Sequence, residues 1–396
     1  MERETIRIAM NGVTGRMGHR QHLVRSILAL RERGGVPLDD GRVLWPEPVL
    51  VGRRPEALRA LAERYGLDPS AVSTDLDAVL ADDRVQVYFD AQLTSAREES
   101  VRKAIAAGKH VYVEKPSATT SEGALELARL AEAAGVTHGI VQDKLFLPGL
   151  RKLKRLVDAG FFGRILSVRG EFGYWVFEGD WQEAQRPSWN YRAEDGGGIV
   201  ADMFPHWEYV LSGLFGQVRS VWALAATHLP DRWDEQGAHY PATADDAAYG
   251  ILEVDGPHGP LVAQLNSSWA VRVHRDELVE FQVDGVEGSA VAGLRRCRIQ
   301  HRATTPRPVW NPDLPLTESF RDQWQEVPDN GEFDNGFLAQ WEAFLRLAAR
   351  GEPCPWDLFS GARGVRLAEL ALASSADGQR RTVPEELDDT AGESAR

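Results

Sequence analysis

The sequence predicts two domains: an α/β doubly wound parallel sheet, followed by an α+β domain built on a large, mostly antiparallel open sheet. Three observations carry this expectation. Apolar strands alternate with helical patterns through residues 1–145. A glycine-rich turn joins the first strand to the first helix. From residue 146 to 384 the rhythm changes to successive strands joined by Gly- and Asp-containing turns. At 396 residues the chain is long enough for two separate cores.

Taking the elements in order, "TIRIAM" is a short β-rich run, "NGVTGRMG" the turn and "HLVRSILALRER" a helix. "PVLVGRR", "VQVYFDAQ", "KHVYVEKP" and "VTHGIVQ" then read as strands, separated by the helices "PEALRALAERYG", "REESVRKAIAAG" and "SEGALELARLAEAAG". The stretch "GVPLDDGRVLWPEP", covering 36–48, is longer than its connection needs and reads as a surface excursion. In the second half "GLRKLKRLVDAG" is a helix, and "GRILSVRGEFGYW", "VRSVWALAATHL", "DDAAYGILEV", "LVAQLNSSWAV", "LVEFQVDG" and "GSAVAG" are strands. The polar run 385–396 has no apolar face to bury and is expected to be disordered.

Composition narrows the function classes. A net charge of −14 argues against general nucleic-acid binding. No run is long and apolar enough for a membrane helix, and "MERETIRIAM" is charged where a secretory core would sit, so a cytoplasmic protein is expected. Cys297 and Cys354 lack metal-ligand or disulfide-framework spacing, so no metal is expected.

The chemistry gathers at strand ends. In a doubly wound sheet, ligands sit beyond the carboxyl ends of the strands. Gly12, Thr14, Gly15, Arg16, Met17 and Gly18 lie there, as do Arg53 with Arg54, Gln92, and Glu114 with Lys115 and Pro116. Gly12, Gly15 and Gly18 would allow a tight turn, close approach to a pyrophosphate and helix–strand packing. Pro116 restricts the backbone of Lys115 and so aims its amine. Where an NAD enzyme usually carries a carboxylate after its second strand, this chain has Gly52, Arg53 and Arg54, which favours NADP over NAD.

In the second half, "SWNYRAEDGGGIVADMFPHW" places Asp202 and His206 four residues apart on one helical face. A carboxylate one turn before an imidazole suits a general base for a hydroxyl proton. By spacing alone an ordinary helix salt pair is the better reading. Trp175, Trp189, Asn190, Tyr191 and Arg192 precede this helix, and their aromatic faces and polar groups suit a carbohydrate.

"NGVTGRMG", "AGKHVYVEKP", "GGGIVADMFPHW", "DDAAYGILEV" and "VDGVEGSAVAG", in that order, resemble the Gfo/Idh/MocA oxidoreductases. The resemblance implies an amino-terminal Rossmann domain and a carboxy-terminal domain whose open sheet makes a homodimer or homotetramer. It implies hydride transfer between a nicotinamide cofactor and a secondary alcohol carbon of a sugar, polyol or glycoside. On this likeness Lys115, Asp202 and His206 are catalytic, Gln142 contacts the cofactor and Lys144 the substrate. Two departures stand out: GxxGxxG replaces the usual GxGxxG, and Gln92, Leu93 and Arg97 stand where many members have Thr-Pro and a histidine. Two alternatives share the same residues, a glycoside-cleaving enzyme that oxidises transiently and a non-catalytic cofactor-binding regulator. "GVTGRMG" also invites dihydrodipicolinate reductase, but that family's HH...K...SGT signature has no counterpart here.

Overall fold

The first strand, β1 (Arg3–Asn11), is apolar on both sides at its centre, as a strand covered on both faces must be. Ile6, Ile8 and Met10 enter one core and Ala9 enters the other. In the computed structural model, which describes residues 2–315, 318–329 and 331–384, the chain divides into two compact units. The stretch 385–396, expected to be disordered, lies outside the described residues.

The first unit comprises the residues up to Phe146 together with Asp334–Arg366. After β1 come β2 (Val36–Pro37), β3 (Val43–Val51), β4 (Val72–Ser73), β5 (Val85–Asp90), β6 (His110–Val113) and β7 (His138–Ile140). Their order is β2-β3-β1-β5-β6-β7, with β4 pairing β3, and every pair is parallel except β2–β3. The strand order reverses beside β1, which makes the ends of β1 and β5 the switch point where such sheets bind ligands.

Three expectations are corrected in this unit. First, the helix after the glycine turn runs from Gly18 to Glu32, but its first part, Gly18–Leu28, is wound as a π-helix. Second, residues 36–48 are not a loose excursion. Val36 and Leu38 are buried, and the segment turns back as a hairpin that lengthens β3. Pro46 and Pro48 fit inside β3 because of parity. Leu50 and Gly52 donate their N–H groups away from β1, to Ala71 and Ser73, so prolines of the same parity remove no bond to β1.

Third, the sequence pattern places everything from 146 to 384 in the second domain, yet 334–366 belongs to the first unit. The reason is packing. The helix Gly336–Arg350 turns Leu338, Trp341, Phe344, Leu345 and Ala348 onto Leu23, Ile27, Phe89 and Tyr112, forming one of the two cores. Phe344 stacks on Tyr112 at 4.6 Å between ring centroids.

The second unit comprises Leu147–Phe333 and Leu367–Pro384. Its strands are β8 (Ile165–Gly173), β9 (Gln217–Ala226), β10 (Asp231–Trp233), β11 (His239–Pro241), β12 (Ala247–Gly256), β13 (Gly259–Ser268), β14 (Val279–Gly285), β15 (Gly288–Gly293), β16 (Cys297–His301), β17 (Gln325–Glu326) and β18 (Arg381–Thr382). Nine of them form one sheet, ordered β17-β16-β15-β14-β8-β13-β12-β9-β18 and antiparallel except at β8–β13. β10 and β11 form a separate hairpin.

The helix Ile199–Leu214 lies on one face of the large sheet, where Trp207 Nε1 donates to Ser267 Oγ at 2.9 Å and the Trp207 ring meets Phe281 edge-on. Along β9, β12 and β13 the alternate residues turn to the other face. Trp222, Leu224, Tyr249, Ile251 and Val262 there are each between 41% and 53% exposed.

Candidate active site

In the first unit the glycines take the positions their conformations demand. Gly12 has φ +86°, and a Cβ there would stand 2.6 Å from the Ala91 carbonyl and 2.7 Å from Gln92 N. The turn thus lies directly against the end of β5. A Cβ on Gly18 would strike Gly12 O at 2.5 Å, so the helix starts pressed on the turn itself. Arg16 is exposed and Thr14 and Met17 are half-buried, along the rim of this turn. Arg53 and Arg54 are exposed immediately beyond β3, Arg54 being the residue before the helix Pro55–Arg64.

Beside the turn, one buried ion pair ties two strand ends together. Asp90, the last residue of β5, is fully buried and accepts from Tyr88 Oη at 2.6 Å, Gln92 N at 3.0 Å and Arg97 Nε at 3.0 Å. Arg97 is itself buried, and its other nitrogens donate to Gln92 O, at 2.8 Å, and to Pro116 O. In the sequence Arg97 stands out only as a departure from the family pattern. In the structure it clamps the loop after β5 to the Lys115–Pro116 corner after β6. An aspartate ending an apolar strand was the available signal, since a buried carboxylate requires a partner.

Glu114 was expected to meet the cofactor. It is buried with both oxygens engaged inside the unit, Oε1 with His22 Nε2 at 2.8 Å and Oε2 with the Lys115 N–H at 2.9 Å. Burial alone would raise its pKa. The hydrogen bond from His22, with the charges of Lys115 and Arg97 nearby, outweighs that and holds the carboxyl below its ordinary value. The backbone N–H of Gln142 donates to Gln340 Oε1 at 2.8 Å and its side-chain amide to Ser360 Oγ at 2.9 Å. Lys115 is half-buried at the strand end, and Lys144 lies in the short turn Asp143–Phe146 with Nζ 3.7 Å from Asp143 Oδ1.

In the second unit, Asp202 and His206 share the first turns of the helix Ile199–Leu214, as their spacing predicts. Gly198, at φ +118°, is the residue before the helix, and a Cβ there would collide with Asp245 Oδ1 at 2.6 Å. Asp245 accepts the Val200 N–H at 2.8 Å and so caps the helix from another segment.

Two groups that spacing did not flag hold the pair. Asp202 Oδ2 accepts from Arg186 Nη1 at 3.1 Å, and His206 Nδ1 is 2.7 Å from Tyr209 Oη. Arg186 also reaches Asn190 Oδ1 at 3.4 Å and Tyr174 Oη at 3.3 Å, and its guanidinium lies 4.2 Å above the Trp269 ring. No periodic pattern marks Arg186, because it comes from the irregular stretch before the helix.

The aromatic residues separate by environment. Tyr191 is buried, with the Arg232 guanidinium 3.6 Å over its ring and Trp269 at its edge, and burial pushes its hydroxyl up to about 12. Trp189 is 44% exposed, whereas Trp175 is half-buried under Arg272 and Arg192 lies over Tyr240. Of the aromatics expected to meet substrate, Trp189 is exposed and Tyr191 is buried.

A switch-point glycine turn on a parallel sheet is the geometry in which dinucleotides bind, and here an open-sheet unit carrying an Asp/His helix follows it. The comparisons with known proteins agree. Residues 6–141 match the oxidoreductase family with an NAD-binding Rossmann fold, and residues 150–291 match the GFO/IDH/MocA C-terminal domain. A D-xylose dehydrogenase of Paenarthrobacter nicotinovorans is 62% identical over 381 residues, 96% of this chain and 98% of that protein. A levoglucosan dehydrogenase of Pseudarthrobacter phenanthrenivorans is 26% identical over 276 residues, 64% of this chain and 67% of its own. A solved levoglucosan dehydrogenase complex with NADH and L-sorbose superposes with a TM-score of 0.76 at 20% identity, covering 97% of this chain and 100% of that one. An oxidoreductase domain protein from Kribbella flavida gives 0.77 at 21% identity, covering 97% of this chain and all of its own. The chain belongs to the GFO/IDH/MocA family of NAD-binding oxidoreductases.

Proposed function

We propose that the protein is a sugar dehydrogenase that takes hydride from a hydroxyl-bearing ring carbon of an aldopyranose, D-xylose or a close pentose relative, onto a nicotinamide cofactor. The near full-length 62% identity to a D-xylose dehydrogenase is the observation that carries this reading. His206 Nδ1 lies 2.7 Å from Tyr209 Oη, and the tautomer with its hydrogen on Nδ1 leaves Nε2 as the base for the hydroxyl proton. Asp202, held by Arg186, provides a fixed acceptor for a neighbouring sugar hydroxyl. Lys115 donates to the reacting oxygen and favours its anionic character. The cofactor supplies the hydride acceptor, so the residues need only bind, orient and move the proton. The same likeness favours net oxidation over glycoside cleavage by transient oxidation. Incubation with D-xylose, other aldoses, levoglucosan and an aryl xyloside is expected to accumulate reduced cofactor with D-xylose. Release of the aryl alcohol without net reduction would select the cleavage reading instead.

For the cofactor, Arg53 and Arg54 favour NADP, because two exposed guanidinium groups follow β3 where a ribose-binding carboxylate would repel the extra phosphate. Titration of both cofactors is expected to give tighter NADP binding, and Arg53→Ala to weaken NADP more than NAD. Tighter NAD binding with no effect of the substitution would reject this assignment.

A second copy of the chain is the proposed cover for the open face of the large sheet. Trp222 pairs in register with Ile251, and Leu224 with Tyr249, so the exposed apolar residues form a continuous patch rather than scattered points. Light scattering is expected to report a homodimer or homotetramer. Trp222→Glu with Ile251→Glu is expected to give monomers; a monomeric wild type would refute the interface.

A further inference from the structure

Behind the end of β6 runs a buried chain of three hydrogen bonds. Trp341 Nε1 and His22 Nδ1 are 2.9 Å apart, and an indole nitrogen only donates, so His22 Nδ1 is the lone-pair nitrogen. The ring hydrogen of His22 therefore sits on Nε2, which donates to Glu114 Oε1 at 2.8 Å. Glu114 Oε2 accepts the Lys115 N–H at 2.9 Å. His22 and Trp341 are fully buried, and His22 is further fixed by Phe89, with ring centroids 4.4 Å apart, and by Phe337 at 5.2 Å.

We infer that Trp341 and His22 are positioning residues for Lys115: by fixing the tautomer of His22, Trp341 makes Glu114 accept at both oxygens and so pins the backbone of the lysine. Packing alone does not require this arrangement. An apolar side chain at 114 would fill the volume without burying a carboxylate, which is costly unless its oxygens are hydrogen-bonded. The π-helix brings His22 to this point from Gly18–Leu28, and the helix Gly336–Arg350 brings the tryptophan. Distant parts of the sequence thereby meet behind one residue. The inference rests on the reading of Lys115 as the donor to the reacting oxygen.

The chain makes an unusual demand on substitutions. In Glu114→Gln one acceptor becomes an NH₂ group. While His22 Nε2–H and the Lys115 N–H both donate, either orientation of the amide sets donor against donor. Trp341→Phe keeps the ring but releases His22 Nδ1, so the ring hydrogen can move there and Nε2 can accept from the glutamine. Glu114→Gln is expected to lower kcat by about 10-fold to 100-fold, the scale of a small misplacement of a reacting group, with KM for the sugar little changed. Adding Trp341→Phe is expected to restore part of that loss, so the double variant exceeds Glu114→Gln alone. A double variant no more active than the single, or wild-type kcat in Glu114→Gln, overturns the inference.

Nitrogen NMR of the wild-type His22 ring supplies a readout that does not depend on the variants folding. It is expected to show the hydrogen on Nε2, and a hydrogen on Nδ1 refutes the chain. Lys115→Met, measured in parallel, separates the two claims. Retained activity there removes the catalytic reading of the lysine, whereas loss there without rescue by Trp341→Phe removes only the positioning role.

Discussion

Lys115→Met is expected to lower kcat for D-xylose by about 10²-fold to 10³-fold, and His206→Asn by about 10²-fold to 10⁴-fold. Methionine keeps the stem of the lysine and removes only the donor, so the β6 corner retains its Glu114 and Arg97 contacts. Asparagine at 206 can still hydrogen-bond Tyr209 but has no basic nitrogen to take the hydroxyl proton. The loss should therefore fall on turnover rather than on cofactor affinity or thermal stability. Asp202→Asn should cost less, because its amide can still bond a sugar hydroxyl although it no longer pairs as an ion with Arg186. Steady-state kinetics with cofactor titration check the set. Near wild-type turnover in both the lysine and the histidine variants would mean that other groups carry the proton and polarise the oxygen.

These roles differed in how visible they were before the fold was known. Gly12, Gly18 and the Asp202/His206 pair are local features: a turn and a four-residue spacing are set by neighbours in sequence, and the structure keeps both. The alternation of strands and helices likewise exposed the parallel sheet, since a strand covered on two faces must be apolar throughout. Trp341 shows the opposite case. Its stripe with Leu338, Leu345 and Ala348 marks a buried helix face, but an apolar stripe suits any core, so periodicity could not say that this helix returns to the first unit. The internal partners of Glu114 and Gln142 are hidden in the sequence for the same reason. Their partners, His22, Gln340 and Ser360, are far away in sequence, and a polar side chain at a strand end looks the same whether it faces a ligand or a distant helix. Arg186 lies in a stretch without regular structure, where no period exists to place it.

Arg97→Ala is expected to have the largest effect on stability, about 3–5 kcal/mol, because it leaves a buried carboxylate without its cation. Asp90 and Arg97 are 0% and 2% exposed, so little solvent screening reduces the value of the pair. The arginine also supplies the donors for Gln92 O and Pro116 O, so its removal frees two carbonyls at once. Loosening should be felt first at the loop after β5, against which Gly12 is pressed, and at the corner that carries Lys115. Cofactor affinity should accordingly fall along with stability. Arg97→Lys should recover only part of the loss, since one ammonium cannot span the separate acceptors that the guanidinium fork reaches. The decisive comparison is Asp90→Asn combined with Arg97→Ala. With the charge removed from both sides, the double variant should be more stable than Arg97→Ala alone by denaturant unfolding, yet still bind cofactor weakly, because the ties to Gln92 and Pro116 remain broken. Equal stability of the two variants would show that the burden lies in the lost carbonyl contacts rather than in the stranded carboxylate.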